Sequence, residues 1–133
     1  MTRIYIDENI SPHIASALDI LEKPLGSDFE VVSIISVFGR GALDEEGLPK
    51  IGAEGAVVIT QDLNIHRTKS QRMLFKEHQV GVFFLSPPSK NGYHYWEMVE
   101  QIIKRWQEIR KLCRERRPFA FRCTSRSSNF ERL

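Results

Sequence analysis

Apolar positions recur along the chain in two rhythms, one suited to strands and one to helices. Arg3 to Ile6 alternates and carries β-forming side chains, which predicts a first strand. Asp7, Glu8 and Asn9 follow at its C-terminal end. Ser11-Pro12 then opens a helix, because Ser is a good N-cap and Pro is tolerated at the first helical position. Up to Glu22, the residues Ile14, Ala15, Ala17, Leu18 and Leu21 keep helical spacing and predict one face turned to a sheet. Lys23-Pro24-Leu25-Gly26 stops this helix, and the β-branched run Phe29 to Ile35 predicts a second strand. Strand, helix and strand in that order form a right-handed crossover between parallel strands.

After the flexible loop Gly39-Arg40-Gly41, Asp44 is an N-cap candidate, with Glu45 and Glu46 in a first turn where the helix dipole favours acids. Pro49 interferes with a regular helix from Asp44, so the expectation is a short turn at 44–47 and a helix from about Pro49 to Glu54. Ala56 to Thr60 is continuous and apolar, as a central strand should be, and ends at Gln61-Asp62. Ser70 to Glu77 predicts a third helix with Met73 and Leu74 inward, and Val80 to Leu85 a fourth buried strand. The longest helix is expected from about Tyr93 to Glu115. Its apolar stripe is Trp96, Val99, Ile102, Ile103, Trp106, Ile109 and Cys113, and sheet packing accounts for it. Lys104, Arg105, Lys111 and Arg114 fall largely off that stripe. Phe119, Phe121 and Cys123 alternate with Ala120, Arg122 and Thr124, predicting a short fifth strand. It is placed at a sheet edge because Pro118 begins it. Ser125 to Leu133 is polar, and its pattern assigns it neither to a helix nor to a strand.

The length of 133 residues predicts one domain, 1–133, with room for a real core. Hydrophobic residues at 41% and charged residues at 27% are ordinary for a soluble globular protein. No apolar run approaches the ~20 residues of a membrane span. The N-terminus enters a strand directly, so no signal peptide is read there and a cytoplasmic location is expected. Cys113 and Cys123 have no metal-type spacing and are expected as free thiols. The net charge of +2 hides an asymmetry. Residues 1–103 hold nine basic and fourteen acidic residues, for −5, whereas residues 104–133 hold ten and three, for +7. A basic helix and tail, from about 93 to 133, on an acidic body suits a polyanionic partner such as nucleic acid, or is simply a solvated basic helix end.

Three acidic clusters carry the candidate chemistry: Asp7-Glu8, Asp44-Glu45-Glu46 and Asp62. Asp7 and Asp62 each follow a predicted parallel strand, and parallel strands put their C-terminal ends on one sheet edge, where open α/β sheets bind ligands. The loop holding Asp44 leaves the second strand on that same edge. Neighbouring strands lie about 4.8 Å apart, a gap that one metal ion or a pair can bridge. Thr60, two residues before Asp62, is placed to orient a carboxylate or a water. Crowded carboxylates either take up protons or bind a cation. Oxygen-only donors favour Mg²⁺ or Mn²⁺ over zinc. His13, His66, His78 and His94 share no ligand frame and are read as surface or loop residues. Arg67, Lys69 and Arg72 lie near the third strand's end, where they suit either a phosphate backbone or a solvated loop.

The segments IYIDENIS, GALDEE, VVITQD and GVFFLS, in that order, together with the closing RRPFAFRCTSRSSNFERL, resemble PIN-like domains of the small VapC-type toxin group. The resemblance spans nearly the whole chain. It implies an α/β fold: a three-layer α/β/α PIN-like architecture on a central, mostly parallel sheet of four to five strands. It implies a metal-dependent ribonuclease acting as the toxin of a toxin–antitoxin pair, its site blocked by a cognate antitoxin protein. Carried over by position, Asp7 matches the first site acid, Asp44 or Glu45 the second and Asp62 the third. Many relatives have a further acid where this chain has Asn64, whose carbonyl can bind a metal without adding charge. On this reading Asp7, Asp44 and Asp62 hold Mg²⁺ or Mn²⁺, with Glu45 or Glu8 as a further ligand or water-positioning group. Water then attacks an RNA phosphate in line, leaving a 5′-phosphate and a 3′-hydroxyl. Arg40, Arg67, Lys69, Arg117 and Arg122 would steer and seat the RNA. Phe119 and Phe121 either stack bases or, the preferred use, pack the core. The long helix and basic tail also offer a homodimer surface.

Two other readings use the same residues. A non-catalytic nucleic-acid or protein-binding module of the same fold accommodates Asn64. A phosphoacceptor receiver-like domain also places acids after its first and third strands, but needs a lysine just past the fifth, where this chain has Ser125-Arg126.

Overall fold

The computed structural model describes residues 1–26 and 28–133, the side chains of Leu63 and His66 excepted. Six strands form one sheet: β1 (Thr2–Ile6), β2 (Phe29–Ser33), β3 (Val57–Thr60), β4 (Gly81–Ser86), β5 (Phe119–Thr124) and β6 (Glu131–Arg132). Their order across the sheet is β2-β1-β3-β4-β5-β6. All neighbours pair in parallel except β5 and β6, which are antiparallel. The helices are α1 (Pro12–Glu22), α2 (Ile34–Phe38), α3 (Gly47–Ala53), α4 (Leu63–Arg67), α5 (Lys69–Glu77) and α6 (Tyr95–Leu112), with a 3-10 turn at Lys23–Leu25.

Strand side chains alternate between faces, and this splits the core into two layers of contact. Ile4, Ile6, Val57, Ile59, Phe83 and Phe121 meet Ile14 and Leu18 of α1 and Ile102, Trp106 and Ile109 of α6. Tyr5, Val58, Val82 and Phe84 meet Ile34, Leu48, Ile51, Ile65 and Phe75 of α2 to α5. The architecture is therefore three-layered α/β/α, as expected. Ser11 caps α1 through its hydroxyl, which accepts from the His13 N–H at 3.2 Å. Among the described residues no helix is long and apolar enough to cross a membrane. Cys113 and Cys123 are buried free thiols, which burial raises to about 12 and about 11 respectively.

Several expectations are corrected. The sheet has six strands rather than four or five, and β5 is internal, because β6 covers its outer side. The second strand stops at Ser33, where α2 begins, and α4 adds a turn of helix before α5. On α1, Ala17 and Leu21 face outward, while Glu22 is buried. Its carboxylate accepts from Trp106 Nε1 at 2.8 Å and from Arg110 Nε at 3.2 Å. On α5, Phe75 points inward, Leu74 packs only partly and Met73 is exposed. On α6, Trp96 and Ile103 are exposed, whereas Met98 and Arg105 are buried. The Arg105 guanidinium goes inside because Gln101 Oε1 and the carbonyls of Thr124 and Ser127 accept from it.

Candidate functional site

Asp7 is the first residue past β1, and its N–H still donates to the Ile59 carbonyl at 3.0 Å, prolonging the parallel ladder by one bond. The sheet's apolar layers close around it, leaving a carboxylate only 5% exposed. Oδ1 accepts from the Glu8 N–H at 2.8 Å and Oδ2 from the Thr60 hydroxyl at 2.6 Å. Burial raises the Asp7 carboxyl above the ordinary carboxylate value. The two hydrogen bonds oppose this, and the negative charges of Glu8 and Asp62 add to it. Asp62 lies past the end of the adjacent β3. Its N–H donates to Thr60 Oγ1 at 2.9 Å, and its side chain caps α4 by accepting from the Asn64 N–H at 3.0 Å.

Asp7, Glu8, Asp62 and Asn64 all line one open hollow of about 280 Å³, walled further by Leu43, Ile65 and Gln71. Glu8 is fastened to the loop before α3. Its carboxylate accepts from the Gly41 N–H at 3.3 Å and lies 3.7 Å from Arg40 Nη1.

Asp44 and Glu45 do not join this hollow. Asp44 Oδ1 accepts from the N–H groups of Gly47 at 2.8 Å and Glu46 at 2.9 Å, so its carboxylate turns to its own chain and titrates below the ordinary value. Both acids line a separate hollow with Glu46, Ser70, Met73 and Glu77. Among the described residues, no three Asp, Glu, His or Cys side chains gather at metal-holding spacing.

The expected basic residues scatter. Arg40 sits beside Glu8. Arg67 lines a polar hollow on the other side of Asp62. Lys69 is exposed at the start of α5. Arg117 lies at the opposite sheet edge, because β5 runs parallel to β1 and Arg117 precedes it. There it donates to the Glu115 carbonyl and stacks 5.6 Å from the Phe119 ring. Arg122 shares a register row with Phe84 and Thr60, two strands from Thr60 or roughly 10 Å. Phe119 and Phe121 are buried in the core and do not reach solvent as stacking platforms. His13 and His94 are exposed and His78 is half-buried, while the His66 side chain lies outside the described residues. Gln61 and Gln71 also shape the surroundings of the site. Gln71 Nε2 donates to the Leu43 carbonyl at 2.5 Å and so holds the wall between the two acid-lined hollows. Nothing local marks a glutamine for such a role.

The arrangement sets a buried carboxyl, raised by burial, beside the Asp62 carboxyl in one hollow, with no His or Cys among the described residues that line it. Such a ledge can hold a hard cation or exchange a proton. Compared with known families, residues 2–87 match the family model described as PIN like domain, a span from β1 through β4 that includes both acids and covers well over half the chain. No curated protein and no solved structure matches the chain. With a sheet, a strand-end acid pair and a sequence match that coincide over the same residues, the chain belongs to the PIN like domain family.

Proposed function

We propose that this PIN like domain is a metal-dependent endoribonuclease that hydrolyses RNA phosphodiester bonds, and that it serves in the cytoplasm as the toxin of a toxin–antitoxin pair. The observation that carries the reading is the pairing of Asp7 and Asp62 across neighbouring strand ends in one open hollow. The donor chemistry fits Mg²⁺ or Mn²⁺. The hollow is lined by carboxylate and amide side chains, and none of the ion pairs among the described residues involves the buried Asp7. Asp7 and Asp62 would hold the ion, with Glu8 and Asn64 beside them. When bound there, a hard cation would supply charge to polarise a phosphate oxygen and to lower the pKa of a water. Thr60 keeps the Asp7 carboxylate in one orientation, and Asp62 lines the same hollow. Arg40 and Arg67 flank the hollow on either side with positive charge for the phosphate backbone. An antitoxin would act by covering this mouth.

A second reading, a binding module that has lost turnover, draws on Asn64 and on the outward turn of Asp44, which leave fewer acids facing the hollow. Purified protein incubated with structured RNA and Mg²⁺ or Mn²⁺ separates the two. The nuclease reading expects cleavage that stops with EDTA and falls to background in Asp7→Ala and Asp62→Ala. Intact RNA with the wild-type protein, or cleavage that survives both substitutions, rejects it in favour of the module.

A further inference from the structure

The polar hollow on the far side of Asp62 has a volume of about 580 Å³, and of its lining the reading above uses only Asp62, Asn64 and Arg67. It shares Asp62 and Asn64 with the acid hollow, so the two meet across those side chains. Its opposite wall is the segment after β4, which carries Lys90, Asn91 and Gly92.

Gln61 builds this wall. Its Nε2 donates to the Asn9 carbonyl at 2.8 Å and its Oε1 accepts from the Tyr93 N–H at 2.9 Å. One side chain thus ties together the segments that leave β1, β3 and β4. Gly92 lies against it with φ +80°, and a Cβ there would meet Gln61 Oε1 at 2.9 Å. Only glycine lets the loop sit this close.

Two cations line the hollow, Arg67 and Lys90, against the single acid Asp62. None of the ion pairs among the described residues uses either cation. Both are exposed, so their charge is available to a ligand. The amides of Asn64 and Asn91 add donors and acceptors suited to a sugar or base edge.

We infer that this hollow is the seat for the RNA strand beside the cleaved bond, with Arg67 and Lys90 holding a backbone phosphate and Asn91 meeting the adjoining sugar or base. The identity of the strand rests on the ribonuclease reading. Guanidinium and ammonium groups bind phosphate through charge-assisted hydrogen bonds, and each contact displaces condensed counterions. Gln61 acts as a positioning residue, because it fixes the loop that carries Lys90.

The test measures binding without turnover. The full chain carrying Asp7→Asn is titrated, in EDTA, into a fluorescein-labelled single-stranded oligoribonucleotide across a salt series. Each phosphate contact removed makes the plot of log affinity against log salt shallower by about 0.7. Adding Arg67→Ala and Lys90→Ala together is expected to weaken binding and flatten the slope by about 1.4, and Lys90→Gln alone by about half of that. Gln61→Ala, which removes no charge, is expected to flatten it too. Lys50→Ala on α3 serves as the control and leaves the slope near the parent's. An unchanged slope in the double variant, an equal change in Lys50→Ala, or no RNA binding by the parent overturns the proposal. A protein that never cleaves RNA but binds it through this pair rejects the nuclease reading and keeps the seat. Cleavage by a protein whose slope ignores the pair rejects the seat alone.

Discussion

Thr60 donates its hydroxyl proton to Asp7 Oδ2 at 2.6 Å while Thr60 Oγ1 itself accepts from the Asp62 N–H at 2.9 Å. One fully buried side chain thereby fixes both acids at adjacent strand ends. In Thr60→Val the shape stays and the hydroxyl goes, leaving two polar groups short of a partner. The expected cost is about 1–3 kcal/mol, read as a lower urea midpoint. Loss of the donor also drives the Asp7 carboxyl further up, so the acid limb of an activity profile should move to higher pH.

Asp7 and Asp44 should pull stability in opposite directions as pH changes. Folding raises the Asp7 carboxyl, so the folded state holds this proton more tightly than the unfolded chain does. Its contribution is complete below the unfolded carboxylate value and is lost as pH rises through the folded one. Asp7→Asn is therefore expected to melt higher than wild type near neutral pH, with the gap closing in acid. Folding lowers the Asp44 carboxyl through the Gly47 and Glu46 amides. That contribution is present above the unfolded value and is lost as pH falls through the folded one. Asp44→Ala should melt lower than wild type near neutral pH and converge with it in acid. Melting curves over a pH series check both.

Divalent cations provide a readout that needs no RNA. A ligand bound only by the folded state at a hundred times its Kd adds about 2.7 kcal/mol. Saturating Mg²⁺ or Mn²⁺ should raise the wild-type melting temperature and leave Asp7→Ala and Asp62→Ala unmoved. Asn64→Asp adds a carboxylate to the same hollow and should reach saturation at lower cation concentration. A rise that persists in both alanine variants would put the cation somewhere else.

Glu22 anchors α1 to α6. Its carboxylate, 3% exposed, receives Trp106 Nε1 and Arg110 Nε. Glu22→Ala leaves the indole N–H and the half-buried guanidinium without this partner, at an expected cost of roughly 3 kcal/mol in chemical denaturation. Glu22→Gln keeps an acceptor and should recover part of the loss.

The strands were legible because β-branched runs carry their own signal, and Asp7 and Asp62 were legible because they follow those runs directly. The parallel order then put them on one edge. Asp44 shows where this stops. Topology brings its loop to the same edge, yet its capping role decides where the carboxylate faces, and a carboxylate bound to its own helix start is not free for a neighbour. Both uses were visible in the sequence, but their competition was not. Arg105 failed for another reason. Its acceptors at Thr124 and Ser127 lie 19 and 22 residues away, and no local pattern announces that a cation will find carbonyls there. The polar tail likewise concealed β6, whose pairing with β5 depends on contacts from Phe130 to Phe83 and Glu108.

That short closing strand has a practical corollary. The Leu133 N–H donates to the Ala120 carbonyl, and Phe130 wedges 5.1 Å from the Phe83 ring. Trimming the chain before Phe130 would strip the pairing from Ala120 to Arg122 and leave the outer side of β5, FAFRCT, without a covering strand. Shortened protein should precipitate by stacking ribbon on ribbon, and any purification handle belongs at the amino end.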